Sequence, residues 1–185
     1  MWYPNLEGPA LEAYRNMVAE LKRRAMTELG LPESEVVIRP LRPDDFQGHV
    51  STSTSDWHYG ITAVTWDEVI SSQTVADNRF IGINGISTGG NTVAAGLLEI
   101  SNRHRDLVPL AQVRITHKGN LSRYWYVEPI NNWENYAGYC DDPVIIDQNS
   151  LVTVETWGRT ASSLTNWGLL GAVAEKRGLL INPLR

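Results

Sequence analysis

The sequence holds one cysteine, Cys140, in 185 residues. A lone thiol excludes a disulfide framework within the chain and cannot complete a multi-cysteine zinc site. Two uses stay open for it: a small buried hydrophobe, or a bond to a neighbouring chain. Positive charge is also in short supply. The formal net charge is −5, whereas a general nucleic-acid binder needs a concentrated basic face to meet phosphates. The basic run Lys22-Arg23-Arg24 lies inside a helical pattern and reads as a solvated helix face. No apolar run approaches bilayer length, Leu169 to Ala174 being short and strand-like. The opening Met-Trp-Tyr-Pro-Asn lacks the basic-then-apolar order of a secretory leader, which predicts a soluble chain made in a cytoplasm.

Phenylalanine is scarce as well, with two residues against seven Trp and seven Tyr. Rings with a polar handle suit half-buried surfaces such as interfaces, and a solvent-filled cleft uses the same residues. The length fits one domain with a substantial core.

Residues up to Gly30 carry the one convincing helix. Pro9 suits a first helical turn and Gly30 a left-handed cap. Leu11, Tyr14, Val18, Leu21, Ala25 and Leu29 recur at helical spacing, an apolar stripe for the chain's own sandwich or for a neighbouring subunit. Val36-Val37-Ile38 follows, with Pro32, Pro40 and Pro43 around it restricting any strand there to an edge. Gln47 to Asp56 reads as a loop.

From Trp57 onward the pattern is one of strands. Tyr59 to Trp66 and Arg79 to Ile86 read as strands, the second with Ile81 and Ile83 on one face and Gly82 and Asn84 on the other. Leu98 and Ile100 alternate with polar residues, and so do Ala111, Val113 and Ile115, which predicts inward-facing core positions. His117-Lys118-Gly119-Asn120 marks a tight hairpin with a return strand from Leu121 to Glu128. Val144 to Ile146, Leu151 to Trp157 and Leu169 to Glu175 complete the set, and Gly168 to Gly171 fits a strand approached closely by another backbone. About eight strands with turns between them predict a sandwich or jelly roll.

No catalytic constellation follows from spacing. His49, His58, His104 and His117 form no metal-binding pattern, and Ser87-Thr88-Gly89-Gly90-Asn91-Thr92 lacks the lysine of a phosphate loop. The neighbouring acids Asp44-Asp45, Asp67-Glu68 and Asp141-Asp142 read as solvated loop carboxylates rather than a glycosidase pair. Asn120-Leu121-Ser122 matches a glycosylation acceptor. The connection from Asn131 to Asp142 is dense in aromatics. Its residues Trp133, Tyr136, Tyr139 and Cys140 are the candidate subunit contacts; the other reading folds this segment over one end of the barrel.

Four segments carry a resemblance: Arg79-Phe-Ile-Gly-Ile-Asn-Gly-Ile86, the turn at Lys118-Gly119-Asn120, Asp142-Pro-Val-Ile-Ile-Asp147, and Leu170-Gly-Ala-Val-Ala-Glu-Lys-Arg-Gly178. In this order they resemble the small major capsid proteins, single jelly rolls, of membrane-containing icosahedral viruses of haloarchaea and of related thermophilic bacteriophages. The resemblance implies a β-barrel standing upright on a capsid and pseudo-hexagonal capsomers built with a second capsid protein. It also implies a shell around an internal membrane, with penton and membrane-associated virion proteins nearby. It implies no enzymatic activity, no cofactor and no direct nucleic-acid contact, with synthesis in the host cytoplasm and final location in the virion.

The expected fold is therefore mainly β: a single eight-stranded jelly-roll β-sandwich or barrel, with an N-terminal helix and extended arm in residues 1–56 and the barrel domain in residues 57–185. The expected function is that of a structural capsid subunit. A carbohydrate-binding β-sandwich module, using Trp and Tyr to stack on sugar rings, is the alternative, and a β-sandwich hydrolase ranks third.

Overall fold

The computed structural model describes residues 1–46, 58–88, 110–133, 136–159 and 162–178. Leu98, Ile100, His49, His104, Asp56 and Trp57 lie outside the described residues, as does the turn from Gly89 to Thr92. Within them the chain is mainly β, with one long helix on a β-sandwich.

The strands are β1 (Trp2–Tyr3), β2 (Val36–Pro40), β3 (His58–Ile61), β4 (Trp66–Thr74), β5 (Arg79–Ser87), β6 (Leu110–His117), β7 (Asn120–Tyr126), β8 (Ala137–Ile146), β9 (Leu151–Gly158), β10 (Ser162–Asn166) and β11 (Gly168–Lys176). They form a five-stranded sheet in the order β1-β8-β5-β11-β2, a four-stranded sheet in the order β4-β9-β6-β7, and the pair β10-β3. Every ladder is antiparallel. The main core lies between the two larger sheets, where Ile81, Ile83, Val113, Ile115, Val152 and Val154 meet. Val113 and Ile115 are fully buried, as their period-two alternation with polar neighbours predicts. The β6–β7 hairpin turns on Lys118 and Gly119, both with positive φ, the backbone that a two-residue turn requires.

Helix α1 (Gly8–Leu29) has Pro9 in its first turn and ends on a left-handed Gly30. Its buried seam is Ala10, Ala13, Met17, Leu21 and Ala25. The expected stripe is thus rotated: Leu11, Tyr14, Val18 and Leu29 are only half-buried. The surface beneath explains the change. The helix lies on its own five-stranded sheet, where Met17 and Leu21 press on the small residues Gly82, Ala172 and Ala174, and alanines fill the seam to either side. As a result β5 is buried on both faces, and Gly82 sits under Met17 and Leu21 rather than facing solvent.

Several boundaries differ from expectation. Tyr59 to Trp66 is not one strand: β3 ends at Ile61 and β4 begins at Trp66, with an exposed Val64 at φ 57 between them. Residues Ala137 to Asp142 belong to β8 rather than to a long loop. Strand β2 is the sheet edge that its flanking prolines predict. Trp2 of β1 closes the side of the sandwich, its Nε1 donating to the Tyr126 carbonyl across the gap at 3.1 Å.

A Cβ at Gly171 would fall 1.9 Å from the Gly82 carbonyl oxygen, a backbone atom held by its ladder. At Gly82 the nearest obstacle is the Met17 sulfur at 2.6 Å, on a side chain with several rotatable bonds. Gly171→Ala should therefore destabilise by about 3 kcal/mol, the upper part of the overpacking range, and Gly82→Ala by about 1 kcal/mol. Urea melts of the two variants check the order; equal midpoints would show that β5 and β11 separate more readily than this geometry states.

Candidate interaction face

Among the described residues no element packs on the outer face of the four-stranded sheet, and the register arranges that face in two rows. Trp66 of β4 is opposite Trp157 of β9, which is opposite Gln112 of β6, which is opposite Tyr126 of β7. One step along, Glu68, Glu155, Arg114 and Tyr124 form the second row. Each row spans three strand spacings, about 14 Å at ~4.8 Å each. Their sequence neighbours Val113, Val154, Thr156 and Trp125 are buried on the inner side, so alternation alone sends these residues outward.

The outer residues hold one another. Arg114 Nε and Nη2 donate to both carboxylate oxygens of Glu155, and its guanidinium lies 4.4 Å from the centre of the Trp66 ring. That ring meets Tyr124 edge-on at 5.9 Å between centroids. The Tyr124 hydroxyl donates to Gln112 and the Tyr126 hydroxyl to Glu128. Arg159 donates to both Glu128 oxygens at 2.8 Å. The Glu155 bonds, partly opposed by burial, hold the Arg114 guanidinium firmly protonated. Tyr124 and Tyr126 remain 54% and 45% exposed, so the platform is ordered yet open.

No protein-family model and no curated protein matches the chain. Among solved structures it is similar to a native family 35 carbohydrate binding module from Clostridium thermocellum. That likeness has 11% identity over 75% of this chain and 90% of the other, with a TM-score of 0.24. Likeness at that level carries no argument.

The residues singled out from the sequence are dispersed. Tyr139 and Cys140 are adjacent in β8 and so point to opposite faces of its sheet. Cys140 is buried in the main core, while Tyr139 lines the other side beside Gly85. Trp133 is half-buried against the core, just after a 3₁₀ turn at Glu128–Asn132. Tyr136 adopts φ 49, and its carbonyl accepts the Thr88 N–H at 2.7 Å. His58 falls in β3; His117 ends β6, where burial first and Lys118 second lower its pKa and keep it neutral. Among the described residues no group of three His, Cys, Asp or Glu side chains is placed to hold a metal. Asn120 is exposed at the β6–β7 turn.

The acidic pairs are not all loop carboxylates: Asp67-Glu68 lie in β4 and Asp141-Asp142 in β8, and Asp44-Asp45 departs furthest from the solvated reading. Asp44 is exposed, but Asp45 is 1% exposed and belongs to a cluster with Arg39, Arg79 and Glu175, itself 2% exposed. Arg39 donates to Asp45 at 2.8 Å and to Glu175 at 2.9 and 3.0 Å, and Arg79 reaches Glu175 at 3.0 Å. Burial alone would lower the Arg39 pKa; the bonds to Asp45 and Glu175 outweigh it, and the pKa is raised. Two positive and two negative groups compensate one another. This is structural chemistry, tying β2 and the 3₁₀ turn at Pro43–Asp45 to β5 and β11. Asp45→Ala leaves Arg39 and Arg79 to share Glu175, one buried positive charge in excess, and should cost about 3 kcal/mol, the lower end for breaking a buried pair. That corresponds to roughly 6–12 °C in Tm for a chain of this size. A melt within a degree or two of wild type would mean that water replaces the carboxylate.

Burial pushes the Cys140 thiol up to about 11. Desolvation is the main cause; the hydrogen bond to the Asp142 carbonyl and the Arg123 charge oppose it, and the Asp142 carboxylate adds a smaller upward push. Since the folded value is raised, folding favours the neutral thiol. Stability is unaffected by this group at neutral pH and falls as rising pH ionises the thiol of the unfolded chain first. At pH 8 the native protein should resist a thiol-specific disulfide reagent and react at once in denaturant. Rapid native reaction would place Cys140 outside the core.

Proposed function

We propose that this chain is a non-enzymatic structural subunit of an icosahedral viral capsid, a single jelly roll forming capsomers with itself and a second capsid protein around an internal membrane. The observation that carries the reading is strand order. With β1, β3 and β10 set aside, four strands remain in each large sheet, ordered β2-β11-β5-β8 and β4-β9-β6-β7. Along the chain β2, β5, β8 and β11 alternate between sheets with β4, the β6–β7 hairpin and β9. Such alternation supports a jelly roll, whose paired Greek keys bring first and last strands side by side; here β2 neighbours β11.

The segments that carry the sequence resemblance support the same reading, since they fall on β5, the β6–β7 turn, β8, and β11 with the turn after it. None of them contributes to the buried charge cluster except through Arg79 and Glu175, so their shared pattern is that of a scaffold. The half-buried Trp133, Tyr136 and Tyr139 are candidate contacts between subunits in this reading.

Antibody raised against the purified chain tests the proposal. Immunogold electron microscopy of culture fluid from its source should decorate icosahedral particles, and the chain should co-sediment with lipid-containing particles in a density gradient. Label confined to particle-free fractions overturns it.

A further inference from the structure

We infer that the outer face of the β4-β9-β6-β7 sheet is a binding site for a neutral polysaccharide chain, seated on Trp66, Tyr124 and Tyr126 and oriented by the planar polar groups between them. Flat rings offer apolar surface to the C–H faces of pyranose rings, and Gln112 and Glu128 offer planar acceptor and donor groups to hydroxyls alongside. The rows run across four strands, the span of a short run of sugar rings lying over the strands.

Charge selects the ligand class. Glu155 is matched by Arg114 and Glu128 by Arg159, and the second row adds the carboxylate of Glu68, so the two rows and their partners carry no surplus of cations and a single surplus carboxylate. Nucleic acid needs a surplus of cations on the surface it meets, and an acidic or basic peptide needs a surplus of the opposite sign. A neutral, hydroxyl-rich chain needs neither. Protein interfaces also use Trp, Tyr and Arg, but their fully buried centre is depleted of carboxylates, whereas Glu68 and Glu155 stand within this face. The exposed aliphatic residues of this sheet, Leu121 and Leu151, sit at the far end beside the β6–β7 turn. The centre is built of Trp, Tyr, Gln, Arg and Glu.

The platform is also ordered before anything binds. Arg114 is held between Trp66 and Glu155, and both tyrosine hydroxyls are already anchored. Side chains fixed in advance lose less rotamer freedom on binding, which matters where each ring contact is individually weak.

The inference stands apart from the capsid reading, because particle assembly and sugar retention are separate measurements. The test is affinity electrophoresis of the intact chain in gels containing xyloglucan, galactomannan, mixed-linkage β-glucan or dextran. At least one should retard the protein, and Tyr126→Ala and Trp66→Ala should weaken that retention at least tenfold while Leu121→Ala leaves it unchanged. Circular dichroism melts confirm that each variant folds; should Trp66→Ala melt early, the more exposed Tyr126→Ala decides. Wild-type mobility unaltered by all four polysaccharides overturns the inference, as does full retention by Tyr126→Ala. A wild-type dimer in sedimentation that Tyr126→Ala dissolves would also overturn it, by making the face a contact between two copies.

Discussion

Met17 and Leu21 close over Gly82, and Gly171 passes so near the Gly82 carbonyl that no side chain fits between the strands. This close approach of helix to sheet governs the rest of the molecule. It lets β5 and β11 bury both faces, one against the opposite sheet and one against α1, with Phe80, Ala172 and Ala174 completing the second core. A sandwich of two sheets ordinarily has two outer faces. Here α1 takes one of them, so among the described residues the sheet surface without a covering element is that of β4-β9-β6-β7.

The charged cluster follows from the same layout. Alternation along β11 sends Ala172 and Ala174 to the helix and Val173 and Glu175 to the interior side. Strand β2 is an edge with Arg39 on it, and Glu175 would be an unpaired buried charge without Arg39 and Arg79. A buried ion pair contributes little net stability against well-packed apolar residues, because desolvation offsets most of the attraction. Its effect is positional. Asp45 and Glu175 each accept from Arg39, so β2 can slide along β11 only by breaking several charge-assisted bonds together.

Much of this was legible in the sequence where one face of an element is wet and the other dry. The β6–β7 hairpin, β9 and β11 announce themselves through alternation and turn residues, and the helix ends through Pro9 and Gly30. Legibility fails where that contrast fails. The helix seam runs through Ala10 and Ala13, which carry little hydrophobic signal although contact with a flat sheet needs small residues. Strand β4 has register irregularities after Glu68 and Ile70 that break its period, and β10, Ser-Ser-Leu-Thr-Asn, is short and polar. The start of β8 looked like a loop because Asp141 and Asp142 are exposed and Gly138 gives no side chain, though Cys140 faces the core. The outer platform was missed altogether. Its members come from four strands and meet only through register, so no local spacing could reveal it.

That register also separates what the two sides of the sheet can tolerate. Inner Val113 and Ile115 and outer Gln112 and Arg114 alternate on one strand, yet they answer to different constraints. A change of one methylene on the inner side disturbs a packed core. A change at Tyr124 or Tyr126 alters a surface that is half open to water and leaves the backbone ladder as it was. The face can therefore vary in chemistry over a constant scaffold, provided that each outer charge keeps its partner. Removing Arg114 alone would strip Glu155 of both its bonds and Trp66 of the cation against its ring, and the order of Trp66 and Glu155 would go with them. Surface chemistry and stability are thus nearly independent at the tyrosines and coupled at Arg114.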